Sequence, residues 1–188
     1  MDQQQLYTRI EEQKEQLLNS LTDYWKAYSG MDTWYFWVNL ACVILPLIIL
    51  LFTIDKKRIF EISFFGYSVH ILWANIDSIL SLNNYMVHPH TISFLFPVGI
   101  TMTAVVLPVA FMLMYQYCSN NSKNFYIYMV ILSLIFAFVV APISNMLDLL
   151  NLHNGMNYFY LFLIDIVITF ASYMLTKFFS HLQRRASE

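Results

Sequence analysis

The run from Ile59 to Leu82, IFEISFFGYSVHILWANIDSILSL, constrains the fold of this chain more than any other stretch. It is long and apolar enough to cross a bilayer, yet it carries Glu61, His70, Asn75 and Asp77. An α-helix rises about 1.5 Å per residue, so about 20 apolar residues traverse a hydrocarbon core roughly 30 Å thick. At helical spacing Ser63, Tyr67, His70, Ala74, Asp77 and Ser81 share one stripe, while Phe64, Phe65, Ile71, Leu72 and Leu82 occupy much of the remaining surface. Lipid penalises such a stripe, so the pattern predicts that it faces other helices or a wet cavity.

The rest of the chain offers this helix similar company. Hydrophobic residues make up 59% of the 188 positions and charged residues 12%, more apolar surface than a soluble domain of this size can hide. The expected fold class is all-α: a polytopic membrane helix bundle of about five transmembrane helices with an amphipathic N-terminal helix. The implied partner is the lipid bilayer, with a homo-oligomer or a membrane partner as a further expectation. A net charge of -2 and the lack of a basic patch interleaved with aromatics give no reason to expect nucleic acid. Cys42 lies inside one apolar segment and Cys118 past the far end of another, so no disulfide and no metal-type pair is expected.

Residues 1–30 read as the N-terminal helix, with Leu6, Ile10, Leu17, Leu21, Tyr24 and Tyr28 forming a narrow apolar stripe on a charged background. The stripe predicts a helix lying on the membrane surface or on the bundle, with a coiled-coil dimer as the alternative, although Lys14 interrupts that seam. No apolar core precedes a small-residue cleavage site, so the segment does not read as a signal peptide.

Residues 31–179 read as the five-helix bundle. Its first span runs from Trp34 to Thr53 with a bend expected at Pro46, and the second is the Ile59 to Leu82 run. Asn83 to His90 reads as a polar loop, and Thr91 to Gly99 as a wound or re-entrant lead into a third helix from Ile100 to Tyr117. A fourth helix is expected from Phe125 to Leu150 and a fifth from Tyr158 to Phe179, with residues 180–188 as a basic tail. Five spans put Lys56, Lys57, Arg58, Lys123, Lys177, Arg184 and Arg185 on one side, against Arg9, Lys14 and Lys26 on the other. The positive-inside rule then predicts an outside N-terminus and a cytoplasmic C-terminus.

Several short runs carry a resemblance over roughly residues 34–178: Asp55-Lys56-Lys57-Arg58, Phe60-Glu61, Phe65-Gly66, Asp77, LPVAFMLMYQY from Leu107 to Tyr117, and Phe136-Ala137-Phe138 before Pro142. With these the chain resembles an uncharacterised family of small five-helix integral membrane proteins of endospore-forming Gram-positive bacteria. The resemblance implies a bacterial cell-membrane location and the same fold, and it implies no biochemical activity. Where that family carries acidic residues before the prolines of its third and fourth helices, this chain has Thr103 and Ala141. Any activity resting on those acids is expected to be lost or relocated here.

The candidate polar intramembrane site comprises His70, Asn75, Asp77, Asn145, Asp148 and Asp165. Helical rise puts His70 near mid-membrane and the three aspartates in the outer half, under loops carrying His88, His90 and His153. One reading is a water-accessible acidic cup that binds a cation or relays protons, with His70 as an inner titratable group. The other is that these groups bond across helices or to backbone freed by Pro108 and Pro142, leaving the outer histidines as wet loop residues. Tyr115, Gln116 and Tyr117 are candidate interfacial residues.

No catalytic residue, cofactor or metal site is assigned. Nucleophile-elbow, zinc-helix and phosphate-loop patterns are missing, and His88-Pro89-His90 lacks the helical i,i+4 spacing of a zinc pair. Three function classes follow. They are a non-enzymatic membrane protein serving assembly, sensing or membrane organisation, a small cation- or proton-coupled carrier or binding protein using the outer aspartates, and an intramembrane enzyme on a lipid-like substrate. The last requires at least two of Asp77, Asp148 and Asp165 to converge.

Overall fold

The computed structural model describes residues 2–95, 99 and 101–186, with backbone alone for residues 184 and 186. Among these residues the chain forms six long helices, and five of them, α2 to α6, are long and apolar enough to cross a membrane. They are α1 (Gln3–Tyr28), α2 (Trp34–Thr53), α3 (Ile59–Leu82), α4 (Met102–Asn120), α5 (Phe125–Met146) and α6 (Tyr158–Ala186).

Local chemistry sets several of the helix ends. Asp2 caps α1 by accepting from the Gln5 backbone N–H at 2.7 Å, and the Gln5 side chain accepts from the Asp2 backbone N–H at 3.1 Å, a reciprocal capping box. Asn124 likewise caps α5 by accepting from the Tyr126 backbone N–H at 3.0 Å. Between α2 and α3, Asp55 heads a single 3₁₀ turn, Lys56–Arg58, that runs straight into α3.

The connections gather at two ends. At the first, here the histidine end, β1 (Met86–Val87) pairs antiparallel with β2 (Asn151–Leu152), tying the α3–α4 loop to the α5–α6 loop. The end of α1 docks there too, through Trp25 Nε1 donating to the Thr91 carbonyl at 3.0 Å and Ser29 Oγ lying 2.9 Å from His90 Nδ1. At the other, the lysine end, Arg58 donates to Asn120 Oδ1 at 2.8 Å, and Gln116 clasps the α2–α3 turn by accepting from the Asp55 N–H and donating to the Thr53 carbonyl. Thr91 and Gly99 both lie at the histidine end, Gly99 deep beside Asp77. Phe96, Pro97 and Val98 of that lead segment, and Ile100 at the expected start of the third helix, fall outside the described residues.

α3 is the centre of the packing, flanked by α4 and α6, while α5 closes against α4 and α6 and α2 lies along α4. Its inward face is Ile62, Phe65, Gly66, Val69, Trp73 and Asp77. This corrects the expected polar seam at two positions: Tyr67, expected on it, is 63% exposed, and Phe65, expected on the outer surface, is fully buried. Asn75, expected in the candidate site, is exposed. Phe65 stacks on Tyr115 of α4 with ring centroids 4.6 Å apart and meets Phe125 of α5 edge-on. α4 packs tightly on α3 at Gly66, where a Cβ would stand 2.1 Å from Met112 Sδ.

Burial is inverted relative to a soluble bundle. α2, with an apolar stretch from Val38 to Thr53, buries one residue, Asn39, and leaves Leu45, Ile49, Leu51 and Phe52 exposed. Asn39 accepts from Thr101 Oγ1 at 2.6 Å and donates to the His90 carbonyl at 3.1 Å. α2 thus turns its one amide inward and its hydrocarbon outward.

Two helices contain a π-helical turn directly before a proline. Met102–Val106 precedes Leu107-Pro108 in α4, and Phe136–Val140 precedes Ala141-Pro142 in α5. A proline ring clashes with the carbonyl four residues earlier and gives it no N–H, and a widened turn relieves that clash. Pro46, in contrast, sits within an uninterrupted α-helix.

Element limits differ from expectation in three places. The fourth helix stops at Met146, four residues short of Leu150, because Asp148 adopts a left-handed φ of 57°. α6 continues through the expected basic tail to Ala186, and α4 runs through Cys118 to Asn120, which makes Cys118 a buried helix residue. The stretch Asn83 to His90, expected as a polar loop, and the connection between α5 and α6 contribute the two-residue strands.

Two predictions follow from this packing. Gly66→Ala should destabilise the bundle by about 1–3 kcal/mol through overpacking. Adding Met112→Ala should recover much of that loss, so the double-mutant cycle in denaturant or thermal unfolding should show strong non-additivity. The second concerns α1. Burial holds His90 below its ordinary range, outweighing the opposing pull of Asp148, whose Oδ2 is 3.7 Å from Nε2. The groups facing the ring are Tyr24 and Ser29 of the α1 end, Tyr35 of α2 and Asp148. A lowered histidine pKa means the undocked state binds more protons. Docking is therefore at full strength above the ordinary value of 6.5 and weakens as pH falls through it towards the lowered one. Amide exchange of residues 22–29 should accelerate on acidification relative to α3, and His90→Gln should flatten that dependence.

Candidate functional site

The histidine half of the bundle holds a part-open cavity of about 90 Å³, mostly apolar, walled by Trp73 of α3, His88 and Gly99 of the loop, both π turns, and Asp165 of α6. Two buried aspartates stand at or behind this wall, and they are treated very differently by their surroundings.

Asp77 is fully buried and fully partnered. Its Oδ1 accepts from His88 Nε2 at 3.1 Å, and its Oδ2 accepts from the Gly99 backbone N–H at 3.2 Å and from Thr103 Oγ1 at 2.7 Å. A buried carboxylate without donors is expensive, and here one side chain, one loop amide and one helix hydroxyl supply them. The geometry leaves no room for a side chain at position 99, since a Cβ there would lie 2.4 Å from the His88 ring. His88 Nδ1 stands 3.4 Å from the Leu149 carbonyl, so the ring bridges α3 and the α5–α6 loop.

Asp165 is equally deep, at 2% exposure, but only half satisfied. Oδ1 accepts from Trp73 Nε1 at 2.9 Å, while Oδ2 has no partner. Two nearby hydroxyls share that condition: Thr169 Oγ1, one turn along α6, and Ser133 Oγ on α5, which faces the carboxyl. Buried polar atoms are almost always bonded, so three orphans around one carboxyl set this region apart from the rest of the core.

The remaining expected site residues are distributed elsewhere. His70 Nδ1 donates to the Ala104 carbonyl at 3.0 Å, which sits four residues before Pro108 and receives no N–H from it. Asn75 faces outward and donates to the Ile71 carbonyl of its own helix. Asn145 ties the loop after α5, donating to the Leu150 carbonyl and to Asn151 Oδ1. Asp148 lies outside the helices, with its side chain 55% exposed and Oδ1 accepting from Asn151 at 2.8 Å. The six residues therefore do not form one cup. Asp165 borders the cavity, Asp77 is held behind it by residues that line it, and Asp148 stands apart.

Of the three expected interfacial residues only Tyr117, at 46% exposure, sits on the surface. Tyr115 is a core residue whose hydroxyl donates to Glu61, which in turn takes Arg58 in a two-pronged pair at 2.8 and 3.0 Å. Gln116 is the clasp on the α2–α3 turn. Two of the three outer histidines are not merely wet, since His88 holds Asp77 and His90 is buried with its ring 3.5 Å from that of Tyr35, while His153 is exposed. Sequence reasoning missed Trp73, Ser133 and the role of Thr103, whereas spacing placed Thr169 and Ser172 on the same face as Asp165, one and two turns along. Among the described residues no three of His, Cys, Asp and Glu come together as a metal-binding group.

Comparison with known proteins finds no matching family model, no matching curated protein and no matching solved structure.

The Asp77 knot makes a graded prediction. Asp77→Asn retains an oxygen for Gly99 and Thr103, and its amide can face His88 once that ring moves its proton to Nδ1, towards the Leu149 carbonyl. The cost should be about 1 kcal/mol, the scale of polar contacts between membrane helices. Asp77→Leu strands three donors at once and should cost about 3 kcal/mol or more. Thermal unfolding in detergent separates the two, and equal losses would show that the bonds themselves contribute little.

Proposed function

We propose that the protein is a non-enzymatic, multi-pass integral membrane protein whose bundle holds a small binding cavity in its outer half, acting as a sensor or binding protein. The observation that carries this reading is Asp165, which borders the cavity with one carboxylate oxygen unbonded. Asp77 serves the scaffold, because all of its acceptor positions in use are taken by donors that fix the loop and α4. The membrane setting is supported by the inverted burial of α2 and by exposed apolar side chains such as Phe52, Phe60 and Leu82 along the spanning-length helices. The excess of Lys and Arg at the lysine end supports a cytoplasmic placement of that end, with α1 outside. The resemblance to a five-helix family of endospore-forming bacteria supports the cell membrane of such a host.

A second reading, a small cation- or proton-coupled carrier, draws on a separate observation. Both π turns, each followed by a proline, wall the same cavity from α4 and α5. Irregular turns of this kind concentrate at functional sites and permit local rearrangement without breaking a helix.

One labelling experiment tests orientation and cavity together. In a background lacking Cys42 and Cys118, single cysteines at Asn83, Ser144 and Gln183 are exposed to a membrane-impermeant thiol reagent on intact cells. Asn83→Cys and Ser144→Cys, the latter on the cavity wall, should react from outside, and Gln183→Cys only after permeabilisation. Reaction of Gln183→Cys on intact cells would overturn the orientation, and an inert Ser144→Cys would overturn an outward-reachable cavity.

A further inference from the structure

Helical serines and threonines in this chain follow a consistent habit. Ser68, Ser172 and Thr176, all buried, each donate to the carbonyl four residues back at 2.8 Å, and Thr101 and Thr103 donate to Asn39 and Asp77. Such bonds are the ordinary way for a hydroxyl to be satisfied inside an apolar bundle. Ser133 and Thr169 do neither, although both are fully buried. Ser133 faces the Asp165 carboxyl from α5, close enough to interact but without a well-formed hydrogen bond, and Thr169 lies one turn along α6 from it. Asp165 Oδ2 is the third atom without such a bond.

The three atoms are oxygens, and they come from two helices, α5 and α6, with Trp73 of α3 holding the other side of the carboxyl. Among the described residues no basic side chain pairs with Asp165. An ionised carboxylate in such surroundings needs a compensating positive charge. One carboxylate balances a single charge, and an all-oxygen set suits a hard cation rather than a transition metal. The cavity beside Asp165 offers space for a few waters, each occupying about 30 Å³, to complete the coordination.

We infer that Asp165 Oδ2, Thr169 Oγ1 and Ser133 Oγ form a binding site for a small monovalent cation of the sodium class, in competition with a proton on the same carboxylate. The inference deepens the cavity reading given under Proposed function, naming its ligand. Occupancy joins α5 to α6 through shared oxygens and draws on the cavity for water. Protonation of Asp165 removes the charge and releases the ion, so cation affinity falls with pH.

The full-length protein, purified in detergent, is melted in NaCl and in choline chloride at equal ionic strength, at pH 8 and at pH 5, alongside direct binding of radioactive sodium ion. Sodium should raise Tm saturably, by about 2–4 °C at full occupancy, with choline ineffective and a higher sodium concentration needed at pH 5. Asp165→Asn should abolish both the shift and the binding while leaving Tm in choline unchanged or higher, and Thr169→Val and Ser133→Ala should each weaken sodium binding at least tenfold. Identical melting in the two salts with no bound sodium overturns the inference in the wild type alone. So does a sodium shift that survives in Asp165→Asn. Should Asp165→Asn fail to fold, unweakened binding in Thr169→Val and Ser133→Ala overturns it equally. Detergent solution has no sidedness, so saturable sodium binding with an inert Ser144→Cys would sink the outward-reachable cavity and leave the ion site standing. A reactive Ser144→Cys without sodium binding would do the reverse.

Discussion

Everything at the histidine end depends on the Asp77 carboxylate having its donors. It sits a turn and a half inside the end of α3 with no exposure, so its acceptors must be met by groups that come to it. Two of these groups belong to the long connection between α3 and α4, which must fold back into the bundle far enough for His88 and Gly99 to arrive. The third, Thr103, lies in the π turn of α4 and fixes the rotation of that helix. Once His88 is in place, His90 is directed outward onto Ser29, Tyr35 and Asp148, and α1 acquires its docking point. A single buried carboxyl group thus connects α3, the α3–α4 loop and α4, and through His88 and His90 the end of α1.

The prolines impose the second constraint. Pro108 leaves the Ala104 carbonyl without its helical partner, and His70 supplies the missing N–H from α3. The residue that looks most like an inner proton relay is therefore engaged in repairing backbone. The π turn before Pro142 shares the cavity wall with the one before Pro108 and contributes only apolar side chains to it, Phe136, Ala137 and Val140.

Helix extents were legible because long apolar runs between charged or polar turns leave few alternatives: α2 and α3 begin and end where those runs do. Which face of α3 points inward was not. In water, burial follows apolarity, but in a chain whose outside is also apolar the inside is chosen by close packing and by hydrogen bonds. Phe65 and Trp73 turn inward because one stacks on Tyr115 and the other donates to Asp165. Asn75 can face outward because it bonds to its own helix. The site was half legible: Asp77 and Asp165 stood out as acids within apolar runs, while their partners lie up to 92 residues away in sequence and carry no pattern of their own. Asp148 was misread because one left-handed residue ended the helix early.

α3 and α4 are joined at both ends. At the lysine end Arg58, Glu61, Tyr115 and Asn120 form one bonded group, and at the histidine end Asp77 and Thr103 close the other. Between them Gly66 brings the two backbones close enough for Met112 to fill the space where a Cβ would be. Relative sliding of these helices would break charge-assisted bonds at two separate places, each costly in low-dielectric surroundings. α5 has no comparable tie to the cavity wall: its Ser133 is unbonded, and its π turn contributes Phe136, Ala137 and Val140. Any adjustment that enlarges or closes the cavity falls on the apolar contacts of the α5 π turn, and the α3–α4 pair serves as the fixed frame.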